Sequence, residues 1–406
     1  MTYRESSCRV CGGELESILD LGSIHVSTFL RPEERPAPKV PHDLCACIDC
    51  GLVQLRHTVD PDQLYRQYWY KSGINESMVA ELRDVVAAAR ILVPVDPDDY
   101  VIDIGANDGT LLAAYGVEGE HPIRVAYEPA KNLYQNLRPR CEALVSDYFP
   151  ADSPFPLVHQ AKIITSIACF YDLDDPKAFV EAIERVLHPD GVWIVQFQDW
   201  DQMRRQHAFD NICAEHLVYY TLRQFETLID PYDLIVTDAE FRKVNGGSYR
   251  LYVRRKGHVV FPSVANMRAR EYACDNWDAL HQFKWDCMVA RDQIRAAIQA
   301  EIDVKNTVDL YGASTKANTL LQWCGLTKAQ LRYAWERSSD KLGLRTVGTD
   351  IPIVAEAIGR SDPPDALLAG IWQFRDSILR REGDYLGEGR RIIFPLPQVD
   401  VVTGGR

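Results

Sequence analysis

The chain lacks the features that would tie it to a membrane or to nucleic acid. No apolar run approaches the roughly 18 residues that a membrane-spanning helix requires, and Met1-Thr-Tyr-Arg-Glu5 is not an apolar leader. There is no Lys/Arg cluster: 45 basic against 58 acidic residues leave a formal charge of −13, which argues against a polyanionic partner. A cytoplasmic protein acting on a small molecule is expected. Two nucleotide signatures are also missing. Gly-x-Gly-x-x-Gly would need glycine at 107 and 110, where Asn107 and Thr110 stand, and no Gly-Lys-Ser/Thr follows.

Nor is there a disulfide framework, because the eleven cysteines are odd in number and scattered along a chain with no export signal. Four of them form another pattern. Cys8-x-x-Cys11 and Cys47-x-x-Cys50 are tight pairs, each followed by glycine, separated by about 35 residues. Each pair can turn two thiolates toward one ion, and two such knuckles make a tetrahedral Cys₄ zinc site with no open position, hence a structural one. A redox role for a single pair is the weaker reading, and Cys45 falls outside the spacing. Pro32, Pro36, Pro38 and Pro41 predict an extended loop between the knuckles.

What is present most clearly is Val101-Ile-Asp-Ile-Gly-Ala-Asn-Asp-Gly-Thr-Leu-Leu112, an apolar strand ending in a Gly-x-x-x-Gly turn before a helix. Gly105 and Gly109 let backbone approach a ligand closely, and the helix start offers free N–H groups. Val125-Ala-Tyr-Glu-Pro129 reads as a second strand ending in an acid, with Glu128 about 20 residues past the turn, where a carboxylate accepts from ribose hydroxyls. Ser146-Asp147-Tyr148 is a polar strand end suited to adenine. The turn resembles the first motif of class I S-adenosylmethionine (SAM) methyltransferases. That resemblance implies cofactor contacts at Asp103, Gly105, Asn107, Gly109, Thr110, Glu128, Pro129, Asp147 and Gln196.

Apolar strands at 100–104, 123–127, 162–167 and 192–197 alternate with helical stretches at 77–92 and 176–187, which predicts an α/β doubly wound parallel sheet with ligand at the carboxyl ends of its strands. Gly246 to Val253 reads as a late strand of an antiparallel hairpin. Residues 265–303 read as one long helix with Trp277, Leu280, Phe283 and Trp285 among its apolar positions. Thr307 to Thr319 then opens a second, Rossmann-like α/β unit. Ser314, Lys316 and Thr319 stand at its first helix start, where either an anion site or a simply capped helix is open. Three parts are expected: a zinc module at 1–76, a SAM domain at 77–260 and a substrate-binding domain at 261–406.

Phe209 to Tyr220 carries Glu215, His216, Tyr219 and Tyr220 just past the Gln196-Phe-Gln198 strand end. His216 is the natural general base. Cys8-Arg-Val-Cys11, Cys47-Ile-Asp-Cys50, Tyr68-Trp-Tyr-Lys-Ser72, Asp103 to Thr110, Glu215-His216-Leu-x-Tyr219, Asn245-Gly-Gly-Ser248 and Tyr311 to Lys316 together resemble the sugar C-methyltransferases of bacterial deoxysugar biosynthesis. The resemblance implies SAM, a structural zinc and a nucleotide-linked 4-keto-6-deoxy sugar as small-molecule acceptor. It further implies chemistry by His216, Glu215, Tyr70, Tyr171 and Tyr219, with acceptor contacts at Asn245, Ser248, Ser314, Lys316 and Thr319. The family motif reads Tyr-His-Glu-His or Cys-His-Glu-His; here Cys213 and Ala214 precede Glu215. Cys169 to Asp172 also replaces a usual histidine. O- or N-methylation, and a SAM-fold protein without turnover, stay open, as do monomer and dimer.

Overall fold

The computed structural model describes residues 2–116, 121–151, 160–271, 274 and 276–404. Its centre is a seven-stranded sheet built from β1 (Tyr100–Ile104), β2 (Ile123–Tyr127), β3 (Ala143–Val145), β4 (Ala161–Ile167), β5 (Leu187–Gln198), β6 (Leu234–Arg242) and β7 (Ser248–Arg255). The spatial order is β3-β2-β1-β4-β5-β7-β6. All pairs from β3 to β5 are parallel, while β7 runs antiparallel to both β5 and β6. The chain order reverses at β1 and β4, so a crevice opens beyond their carboxyl ends. One sheet face buries an aromatic core in which Phe170 meets Phe179, Trp193, Phe197, Tyr220 and Phe225 at ring separations of 5.3–6.3 Å. On the other face the helix Glu76–Leu92 packs through Leu82, Val85, Val86 and Ala89. Asn75 caps that helix by accepting from Ser77 N.

The zinc module departs from the predicted extended loop. Leu15–Ile24 and Val40–Cys47 pair antiparallel as a long ribbon. The inward residues Leu15, Ile18, Leu19, Leu21 and Ile24 supply an apolar face that a free loop would leave wet. Only Pro32, Pro36 and Pro38 fall in the connection; Pro41 sits within the second strand. The ribbon continues through Val53–Leu55 to the short strand Val218–Tyr219, which follows His216.

The predicted helix at 265–303 is two helices, Pro262–Arg270 and Trp277–Asp303. The second starts at an Asn276 cap whose side chain accepts from Ala279 N at 2.8 Å. Residues 272, 273 and 275, within the predicted span, lie outside the described residues. Leu280 and Phe283 are buried as expected, but Trp285 is 61% exposed and is not a core position. The C-terminal unit is a six-stranded sheet whose first five strands in space are parallel, with Asp400–Thr403 antiparallel at one edge. It grips the zinc module at Arg345–Thr346 against Phe29–Leu30, and Gln322 exchanges two backbone hydrogen bonds with His25 at 2.8 and 3.0 Å. No helix is long and apolar enough to cross a membrane among the described residues.

Candidate active site

A cleft of about 600 Å³ lies where the three parts meet. From the central sheet it is lined by Asp103, Gly105, Asn107, Glu128, Pro129, Asp147 and Gln196 at strand ends. The stretch after the zinc module adds Tyr65, Tyr68 and Tyr70, and the C-terminal unit adds Ser314 and Lys316.

The cofactor half begins at the glycine turn. Gly105 has φ +71°, and a Cβ there would come within 3.1 Å of Cys169. Its N–H, like that of Ala106, bonds the Tyr127 carbonyl, which folds the loop back over β2. Gly109 (φ +78°) does not line the cleft: a Cβ there would strike Leu137 at 2.8 Å, so this glycine shapes the loop. Thr110 also lies behind it, its hydroxyl donating to Asp108 at 2.6 Å. Glu128 accepts from Asn107 N and Ala130 N, both at 2.7 Å. Burial pushes its carboxyl up to about 7 against those two N–H donors. Burial likewise raises Asp103 to about 7, opposed by the Thr165 hydroxyl at 2.7 Å.

Asn107 does more than line the pocket. Its Oδ1 accepts from Ser72 N at 3.0 Å and its Nδ2 donates to Tyr70 O at 3.1 Å, while Asp108 accepts from Gly73 N at 2.9 Å. The Tyr68–Gly73 stretch is thereby laid across the glycine turn.

The other half centres on His216. Its Nδ1 lies 3.0 Å from the Asn211 carbonyl, which only accepts, so Nδ1 carries the proton and Nε2 is left as a base with no partner among the described residues. Burial, then the Lys316 cation, pushes the imidazole down to about 3, which keeps it neutral. Tyr171 stands edge-on to it at 4.7 Å between ring centroids. Burial raises the Tyr171 phenol well above its usual range and that of Tyr70 to about 12, so both are protonated donors.

Several expected contacts fall elsewhere. Tyr219 does not line the cleft; its hydroxyl donates to the same Asn211 carbonyl at 3.0 Å and so shares in holding His216. Glu215 also points away from the cleft lining, as adjacent residues on an extended segment do; its Oε2 is shielded and unpartnered, and burial raises its carboxyl to about 7. Asn245 and Ser248 line the cleft. Ser314 lines it too, but its hydroxyl is engaged as a helix cap to Ala317 N at 3.0 Å and to Gly370 O at 3.3 Å. Thr319 is buried inside that helix and does not reach the cleft. Lys316 does, with no hydrogen bond or ion pair among the described residues. Ala214, where the family carries histidine, packs with Val26, Val40, Val59 and Leu64 at the zinc module. That departure therefore leaves the cleft lining untouched.

Sequence reading missed Asp172, which lines the cleft with Oδ1 unpartnered and its carboxyl raised by burial and then by Glu215. It also missed Asp210, whose Oδ2 accepts from Trp372 Nε1 at 2.8 Å and Gln373 Nε2 at 3.3 Å, fixing the backbone that holds His216. The acidic cluster around Glu215 was a signal for the first; nothing local marked the second.

At the N-terminus the four sulfurs of Cys8, Cys11, Cys47 and Cys50 lie within 4.8 Å of one another, with Cys8–Cys50 at 3.5 Å and Cys11–Cys47 at 3.4 Å. Four such thiols about one centre fit tetrahedral zinc, whose Zn–S bonds of about 2.3 Å set sulfurs at similar separations. Cys45 is outside the group.

Comparison with known proteins agrees with this layout. Family models match a zinc binding domain over residues 8–65, a methyltransferase domain over 75–239 and a C-methyltransferase C-terminal domain over 243–397. C-methyltransferase NovU of Streptomyces niveus is 28% identical over 407 residues, spanning 98% of this chain and 96% of the relative. A SAM-dependent methyltransferase structure from Clostridium acetobutylicum is 10% identical, covers 44% of this chain and 92% of its own, and has a TM-score of 0.35. The glycopeptide N-methyltransferase MtfA is 12% identical, with 47% and 96% covered and a TM-score of 0.35. With zinc knuckles, SAM domain and C-terminal domain matched in sequence from residue 8 to 397, the chain belongs to the C-methyltransferases and is a SAM-dependent methyltransferase with a structural zinc site.

Proposed function

We propose that the protein methylates carbon in a nucleotide-linked 4-keto-deoxysugar, with His216 as the base. The carrying observation is the tautomer of His216, which leaves Nε2 unprotonated and unpartnered in the cleft. A C–H bond beside a ketone becomes nucleophilic only when its proton leaves. Nε2 takes that proton, and the bonding pair moves into a C=C bond as the carbonyl oxygen becomes an enolate. A placed base contributes about 10²- to 10⁴-fold to such a step. Tyr70 and Tyr171, both held protonated, supply donors on the acceptor side. Lys316, a cation without a counter-charge at a helix start, receives the diphosphate. Glu128 and Asp147 hold the nucleoside of SAM, which when bound supplies the electrophilic methyl that the enolate carbon takes.

The test is solvent deuterium exchange into the acceptor carbon, without SAM, across thymidine- and uridine-diphosphate 4-keto sugars. Exchange that His216→Ala abolishes supports the reading. Methyl transfer without any exchange in the wild type would assign the reaction to oxygen or nitrogen instead.

A further inference from the structure

Gln196 ends β5 in the cleft, and its Cα partner across the antiparallel pair is Arg250 of β7. The shared register puts both side chains on one face of the sheet. Arg250 is fully buried, and its Nε donates to Gln196 Oε1 at 2.9 Å. Its other nitrogens donate to Asp84 and Glu81 of the helix Glu76–Leu92, each at 2.7 Å, so the guanidinium is neutralised and held from three sides. A guanidinium has only donors, so the carboxamide cannot turn its NH₂ toward it. Gln196 therefore presents Nε2 in one sense only. That nitrogen has no partner among the described residues and is not sealed off from the cleft.

We propose that Gln196, locked by Arg250, is a one-way hydrogen-bond donor for the acceptor's carbonyl oxygen as it becomes an enolate. Gln196 is then a catalytic residue and Arg250 a positioning residue. The inference rests on the carbon-methylation reading above. A donor fixed before reaction strengthens as charge develops on oxygen, whereas water or a mobile side chain must reorganise. The same polarity makes the site selective: an acceptor carrying a hydroxyl donor in place of the ketone meets an N–H instead of a lone pair.

The test uses full-length protein and a nucleotide-linked 4-keto sugar that the wild type exchanges. Gln196→Glu preserves the contact to Arg250 and removes the donor; Gln196→Leu removes both. Each is expected to slow SAM-independent deuterium exchange by about 10²-fold, the effect of one lost oxyanion donor, with SAM affinity unchanged. Arg250→Lys, which keeps the charge but frees the amide to turn, is expected to slow exchange less and to leave the acceptor KM within twofold. Wild-type rates in both glutamine variants would overturn the proposal, as would a loss of SAM affinity that accounts for the whole defect. Absence of exchange in the wild type would instead fail the underlying reading.

Discussion

Glu128 meets opposing demands. Burial favours its neutral form, while Asn107 N and Ala130 N favour the carboxylate, and burial prevails with a pKa of about 7. A raised carboxyl is protonated in the folded protein below that value, and holding cationic SAM needs it ionised. SAM binding should therefore release a proton near neutral pH, and affinity should fall by up to tenfold per unit below about pH 7. Calorimetry in two buffers of different ionisation enthalpy measures the release directly; Glu128→Gln should abolish it and weaken binding. A release that persists in the variant would move the linkage to Asp103. His216 behaves oppositely: burial lowers it to about 3, so it is a ready base at neutral pH. His216→Gln should cut methyl transfer by at least about 10²-fold while SAM affinity, measured by the same titration, stays within twofold.

At the level of elements, the zinc module reaches the base through one strand. Val53–Leu55 pairs with Val218–Tyr219, and Leu55 N donates to Leu217 O at 2.9 Å, directly beside His216. The stretch over the glycine turn is anchored separately, by Asn107, Asp108 and Asn132 on the SAM domain. Zinc removal should accordingly lower Tm by at least about 5 °C and suppress acceptor exchange, while SAM binding survives. Equal loss of both would mean that the module supports the whole cleft. These links explain what could be read from the chain alone. The glycine turn, Glu128, the Cys knuckles and His216 are local patterns, each declared by residues within a few positions. The ribbon beneath Pro41, the aim of Tyr219 toward Asn211 and the Gln196–Arg250 register depend on which strands become neighbours, and no local spacing encodes that.

Across the whole molecule, the C-terminal unit closes the cleft and conditions its chemistry. Trp372 and Gln373 hold Asp210, next to the Asn211 carbonyl that fixes His216, and Lys316 projects a cation toward the same imidazole. Lys316 therefore has two separable effects, anion binding and electrostatic depression of His216. In Lys316→Met the acceptor KM should rise about tenfold or more, as expected for a lost charge-assisted contact, with SAM affinity unchanged. The imidazole, relieved of a nearby positive charge, should also titrate higher, toward its ordinary value near 6.5. Because the base works only when neutral, activity is lost as pH falls through that pKa, so the acid limb of kcat at saturating SAM should move to higher pH in the variant. A raised KM with an unmoved limb would separate diphosphate binding from any influence on the base, and a moved limb with normal KM would place the diphosphate elsewhere.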